Sequence, residues 1–324
     1  MIITVTLNTA IDKTLAVPNF QPGRRHRTVE QTTMPGGKGV NVARVLKSLG
    51  QPVIATGLTG GATGTRIVDQ LTQLSVLSDF VRIREESRTN TAVIDPTTGE
   101  QTEINERGPK VSEQEVELFV DKLLYLAKGA SMCVFAGSLP RDVDTDIYAK
   151  LIRDLRRLDV LTIVDTEGDP QRRAVRAEPD VISPNVLEAE ELVGHEFTDS
   201  DEESAIAVQE MCELGAREAI MTMPDGCFAR VRPADKSEPV MYRVRLFSAA
   251  LEPRATIGSG DAFLAGYVAA RYTGKGAAEC LAYGVACGAE STQHLGAGLI
   301  QPERVERLLA ETEIERPEAP AEAV

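Results

Sequence analysis

The stretch TIGSGDAFLAGY, Thr256 to Tyr267, sets two glycines around a serine, follows them with Asp261 and runs at once into an apolar helical pattern. A Gly-x-Gly turn lets successive backbone amides converge on an anion, and the helix behind it adds the partial positive charge of its N-terminus. Gly258, Ser259 and Gly260 therefore form a candidate hole for phosphoryl oxygens. Asp261 at its mouth is either an N-cap or a base beside a phosphoryl group in transfer.

The rest of the chain supplies the scaffold for such a loop. Short β-branched or apolar runs recur at 2–7 (IITVTL), 53–57 (VIATG), 132–137 (MCVFAG), 160–165 (VLTIVD) and 219–222 (AIMT), with helical segments between them. That rhythm predicts an α/β fold with a mostly parallel sheet wrapped by helices. In NVARVLKSLG, Val42, Val45, Leu46 and Leu49 share one helical face and Gly50 closes the turn. Two stretches break the rhythm: residues 11–33 are extended and polar, and 89–105 reads as a hairpin around DPTTGE. These segments, spanning about 11–33 and 88–105, are expected to form a small β-sheet lid. Residues 1–314 read as one domain without an internal linker, and the acidic, Pro/Ala-rich end, 315–324, as a disordered tail.

A second glycine loop, MPGGKGVNVA at 34–43, also opens a helix. It is no Walker A loop, because GxxxxGK[ST] is absent and Lys38 is followed by Gly39, and neither loop gives GxGxxG after a strand. Its glycines, Gly37 among them, allow close backbone approach, Lys38 offers a cation and Asn41 an amide, a set that matches a phosphorylated polyol. TLNTAID, 6–12, ends a strand and then presents Asn8 and Asp12. Asp12 lies where ligands of open α/β sheets bind and can accept from sugar hydroxyls, or it makes a local Asx turn.

Composition narrows the partners. A formal charge of −14 argues against nucleic acid or an anionic membrane, while leaving room for a small anion in a local cationic pocket. Five cysteines without a CxxC pair read as reduced core residues, and the three histidines have no metal spacing. With neither a signal-peptide pattern nor an apolar run of membrane-spanning length, the sequence points to the cytoplasm.

TLNTAID, GGKGVNVARVLKSLG, TGGATG at 59–64, SRTNTAV at 87–93, NERGPKVS at 105–112, GSLP at 137–140, NVLE at 185–188 and TIGSGDAFLAGY occur in one order along nearly the whole chain. In that order they resemble the PfkB, or ribokinase-like, family of carbohydrate kinases, and within it the branch of 1-phosphofructokinase, tagatose-6-phosphate kinase and the minor 6-phosphofructokinase. The resemblance implies a ribokinase-like fold whose lid often also forms a homodimer interface. It implies an ATP-dependent, Mg2+-requiring transfer to a ketohexose monophosphate, fructose 1-phosphate before tagatose 6-phosphate or fructose 6-phosphate.

By the same resemblance Asp261 is the catalytic base, ionised at neutral pH, and Gly258, Ser259 and Gly260 are the anion hole. Asp12, Gly37, Lys38 and Asn41 look like sugar contacts. Arg88, Asn90 and Ser138 look like the holders of the substrate's own phosphate and hydroxyls. Arg24, Arg25 and Arg27 either add charge from the lid across a dimer or are solvated surface residues. Asn185 and Glu188 resemble the NxxE motif that acts on magnesium through water, and the pair also fits a helix-capping box. Thr222, Asp225 and Gly226 fall in the nucleotide loop. Ser183-Pro184-Asn185 stands where KPN is usual, and TMPDG at 222–226 where S-x-G-x-x-G is usual. Both departures lie on the nucleotide side. They keep open a second reading, a sugar-phosphate or nucleotide binding protein without turnover. A kinase of an unphosphorylated sugar or nucleoside is a third.

Overall fold

A computed structural model describes residues 1–198, 200–233, 238–249 and 251–318. Its strands in chain order are β1 (Ile2–Thr6), β2 (Ala10–Ala16), β3 (Glu30–Gly36), β4 (Val53–Gly60), β5 (Leu77–Ile83), β6 (Arg88–Ile94) and β7 (Gln101–Asn105). They continue with β8 (Met132–Ala136), β9 (Leu161–Asp165), β10 (Val181–Ile182), β11 (Ala219–Met223), β12 (Gly226–Val231), β13 (Val240–Leu246) and β14 (Thr312–Glu315). Ten of them form one sheet in the order β14-β13-β12-β11-β10-β9-β8-β1-β4-β5. The stretch from β11 to β5 is parallel throughout, and β12, β13 and β14 extend it antiparallel.

The central strands are buried on both faces, which is why they read as nearly continuous apolar runs. Along β8, Met132, Val134 and Ala136 enter one core while Cys133 and Phe135 enter the other. The helices Lys38–Ser48, Ser259–Tyr272 and Ala277–Ser291 cover the first face; Glu113–Ala127 and Ile147–Arg156 cover the second. All five strands expected from the sequence are present, joined by five that were not singled out: β5, β10, β12, β13 and β14.

The remaining four strands make a separate small sheet, β3-β2-β6-β7. Residues 17–29 of the expected extended segment connect β2 to β3, and Arg24, Arg25 and Arg27 are exposed there. The 88–105 segment is the expected hairpin, with Ile94 opposite Gln101 and the Asp95 carboxylate accepting from Thr97, Asn19 and Phe20 amides. Parallel pairing of β2 with β6 sets Asp12 beside Asn90. Glu315, first residue of the expected tail, belongs to β14 opposite Arg243, and 319–324 lie outside the described residues. No helix among the described residues is long and apolar enough to cross a membrane.

Candidate active site

A cleft of about 1010 Å³ lies where the parallel strands end, between their C-terminal edge and the small sheet. All sixteen positions singled out above as sugar, phosphate, nucleotide, metal or base residues line it, from Asp12 on β2 to Gly226 on β12. Arg24, Arg25 and Arg27 do not.

The helix Ser259–Tyr272 removes one of the two readings of Asp261, that of an N-cap. Its N-cap is Gly258, in left-handed conformation at φ 80°, and no side chain caps it. A Cβ at Gly258 would sit 2.4 Å from the Cβ of Ala297, so the turn requires glycine on two counts. Asp261 is instead the third helical residue, buried, with its Oδ2 accepting from Asn41 Nδ2 at 2.9 Å. The amide of Ser259 donates to the Thr256 carbonyl at 3.1 Å, so one of the three expected anion-hole amides is used inside the turn.

Burial pushes the Asp261 carboxyl up to about 8, with the charge of Asp165 adding to the shift against Lys38 and the Asn41 hydrogen bond. Desolvation thus works against the ionised form expected for Asp261, and Lys38 and the Asn41 amide work for it.

One end of the cleft holds a polar cluster. Asp12 accepts from Asn90 Nδ2 at 3.0 Å and from the Gly37 amide at 3.4 Å. Arg88 donates to the Asn8 and Glu106 carbonyls at 3.2 and 3.0 Å, and to Ser138 Oγ at 3.5 Å. Burial lowers the Arg88 guanidinium from its usual range, opposed by Asp12, Glu167 and Glu106.

Toward the other end Lys38 bridges two carboxylates, Asp165 at 2.8 Å and Glu188 at 3.2 Å. Burial alone would pull its ammonium down, but Asp165, Glu188 and Asp261 together hold it well above the usual lysine range. Lys38 thus lines the cleft already engaged with two acidic groups. Glu188 is raised by burial, with Lys38 opposing. Asn185 and Glu188 also form the capping box of the helix Val186–Val193, Asn185 Oδ1 accepting from Glu188 N and Glu188 Oε2 from Asn185 N, each at 2.9 Å. Thr222 donates its amide to the Pro184 carbonyl at 2.9 Å, and the Asp225 carboxylate is held by buried Arg243 at 2.5 Å. What the 222–226 segment offers a ligand is therefore largely backbone.

Among the residues the sequence reading passed over, Asp165 lines the cleft and Arg44 packs behind it. Asp165 closes β9 as Asp12 follows β1, and a carboxylate at the end of VLTIVD was a signal of the same kind. Arg44, three residues after Asn41, is buried at 4% exposure and carried no comparable mark.

Residues 3–304 match the model of the pfkB family of carbohydrate kinases. The chain belongs to this family. Among its carbohydrate-kinase relatives, the 1-phosphofructokinase of Borreliella burgdorferi is 33% identical over 315 residues, covering 97% of this chain and 98% of that one. The tagatose-6-phosphate kinase of Staphylococcus epidermidis is 33% identical over 269 residues, 82% of this chain and 84% of the relative. The crystal structure of a Thermotoga maritima protein described as a possible 1-phosphofructokinase superposes with a TM-score of 0.87 at 25% identity, covering 98% of this chain and all of that one.

Proposed function

We propose that this pfkB-family member is a cytoplasmic kinase that transfers the γ-phosphoryl group of ATP to a ketohexose monophosphate, foremost fructose 1-phosphate, yielding fructose 1,6-bisphosphate. The observation that carries the reading is the Asp261 carboxyl at a glycine-capped helix N-terminus, held by Asn41 in one cleft with Arg88, Ser138, Asn90 and Asp12. The names borne by the relatives from B. burgdorferi and S. epidermidis support the substrate class. Tagatose 6-phosphate and fructose 6-phosphate share the phosphate and furanose hydroxyls and stand behind it.

In this reading Asp261 in its ionised form takes the proton of the acceptor hydroxyl as the oxygen–phosphorus bond forms and the bond to ADP breaks. The Gly258–Gly260 turn and the helix N-terminus offset charge on the moving phosphoryl oxygens. Arg88, whose planar fork suits phosphate, and Ser138 hold the acceptor's phosphate, while Asp12 and Asn90 accept from and donate to its hydroxyls. The 222–226 segment lines the nucleotide end. Three cationic side chains, Lys13, Lys38 and Arg88, line a cleft that also carries Asp12, Asp165, Glu167, Glu188, Asp225 and Asp261. This carboxylate excess fits a divalent cation brought with the nucleotide. In this reading Glu188 and Asn185 would act on magnesium through water, since that ion keeps several waters when bound with phosphates. Bound there, magnesium would neutralise phosphate charge. The same reading makes the small sheet, where Ile104 is 62% exposed, the face of a homodimer.

The test is ADP release by the purified protein with ATP and magnesium across fructose 1-phosphate, tagatose 6-phosphate, fructose 6-phosphate, fructose and ribose. Turnover with a phosphorylated ketohexose supports the proposal. Silence with all five, repeated with other nucleoside triphosphates, overturns it in favour of a binding protein without turnover.

A further inference from the structure

Arg44 is a buried guanidinium without a carboxylate: among the described residues none lies within ion-pair distance of it. Its Nη1 donates to the carbonyls of Pro35 at 3.2 Å and Ala297 at 3.0 Å and to Asn41 Oδ1 at 3.4 Å, its Nη2 reaches Met34 Sδ at 3.2 Å, and its Nε has no partner. A buried cation satisfied only by neutral acceptors is costly. The segment after the helix Ala277–Ser291 is pressed hard against it: a Cβ on Gly298 would lie 2.9 Å from Arg44 Nη1 and 3.2 Å from the Asn41 Cα.

The contact with Asn41 has a direction. A carboxamide has one accepting and one donating end, and a guanidinium only donates. With Oδ1 turned to Arg44, Asn41 has only its Nδ2 to present to Asp261. Turned over, the amide would set its NH2 against the guanidinium and its oxygen against the Asp261 carboxylate, two repulsive contacts at once. We propose that Arg44 is a positioning residue for Asp261: it fixes the orientation of the Asn41 amide and ties that amide to the Ala297 segment that backs the Gly258 turn. The inference rests on the kinase reading of the same cleft and adds a member that touches neither substrate nor phosphate.

The consequence is specific to the ionised base. An N–H aimed at Asp261 favours the carboxylate, whereas a freely turning amide serves the protonated carboxyl equally well. The other charged groups acting on Asp261 are Asp165 at the end of β9, Lys38 at the start of its helix and Asp12 on β2; Asp12 also acts on Arg44 through space, and none of the three is hydrogen-bonded to it.

The experiment compares wild type with Arg44→Met, which keeps much of the bulk and removes the donors and the charge, and Arg44→Lys, which keeps the charge and a single donor atom. The expected result is a kcat roughly 10²-fold lower in Arg44→Met, the scale of a misplaced catalytic group. The acceptor KM should change by less than about threefold, the acid limb of kcat/KM should move to higher pH, and Arg44→Lys should recover much of both. Unchanged kcat and acid limb, or a rise in KM alone, overturns the proposal. If Arg44→Met fails to fold by thermal melt, Arg44→Lys against Arg44→Gln carries the same comparison. The Asp261 carboxyl is also titrated by 13C NMR in wild type and variants, with Asp261→Asn identifying the resonance. An unmoved midpoint in Arg44→Met refutes the positioning role even if no sugar phosphate is turned over, whereas a moved midpoint with an inactive wild type refutes the kinase reading and leaves the positioning intact.

Discussion

Asn41 Nδ2 stands 2.9 Å from Asp261 Oδ2 and joins the first turns of two helices separated by 220 residues in the chain. Each helix opens after a glycine turn, one at Gly37 and one at Gly258. The contact brings the two glycine loops to a single point, and it couples the charge state of the base to the geometry of the site.

The first prediction follows from that charge state. A base whose carboxyl sits near 8 acts only when deprotonated, so kcat/KM with the accepted sugar phosphate should rise with pH and level off above about 8. The pH–rate profile of the free enzyme measures this limb. A profile flat from pH 6 to 9 is the contrary outcome.

Stability should run the other way. The unfolded-state carboxyl titrates near ~3.9, so between there and about 8 the native state binds a proton that the unfolded state has lost. Asp261 therefore costs stability progressively as pH rises through that window. Thermal melts of Asp261→Asn should show a gain in Tm over wild type that grows from pH 5 to pH 8 and then levels.

Arg88→Ala should weaken the acceptor, raising its KM by roughly 10- to 100-fold, since hydrogen bonds to charged groups contribute about 1.5–3 kcal/mol each. Arg88→Lys should recover little of this, because a point charge does not replace a planar fork. Equal KM values for an acceptor with and without its phosphate would contradict the assignment.

Glu188→Gln separates the two roles of that residue. Glutamine serves the capping box at the third helical position as glutamate does, but the ion pair with Lys38 is lost, so the melting temperature should fall only modestly. The negative charge is lost, and the magnesium concentration for half-maximal activity should rise several-fold. A large loss of stability with an unchanged magnesium requirement would assign the charge of Glu188 to the ion pair with Lys38 and not to the metal.

Much of this site is legible in the sequence because its parts are backbone devices. GSGD and GGKG announce their turns through glycine, TLNTAID announces a strand end, and SRTN falls in a hairpin segment. What joins them is the parallel pairing of β2 with β6, a register between residues 78 apart that no local pattern encodes. Asp165 was readable by the rule that drew attention to Asp12. Arg44 was not, because its burial depends on Gly298 bringing a distant segment down upon it. The burial of Asp261 was hidden for a similar reason: the sequence places a carboxylate at a helix mouth, but only the packed site shows how little solvent reaches it. The antiparallel edge from β12 to β14 was missed because short strands there depend on their neighbours for definition.

The most direct test is turnover by Asp261→Asn beside wild type, with acceptor binding measured on both by calorimetry. Loss of a general base at this position predicts a kcat lower by roughly 10²–10⁴-fold, with the acceptor Kd held within a few-fold. A kcat within tenfold of wild type at unchanged binding would remove Asp261 from the chemistry and with it the central claim.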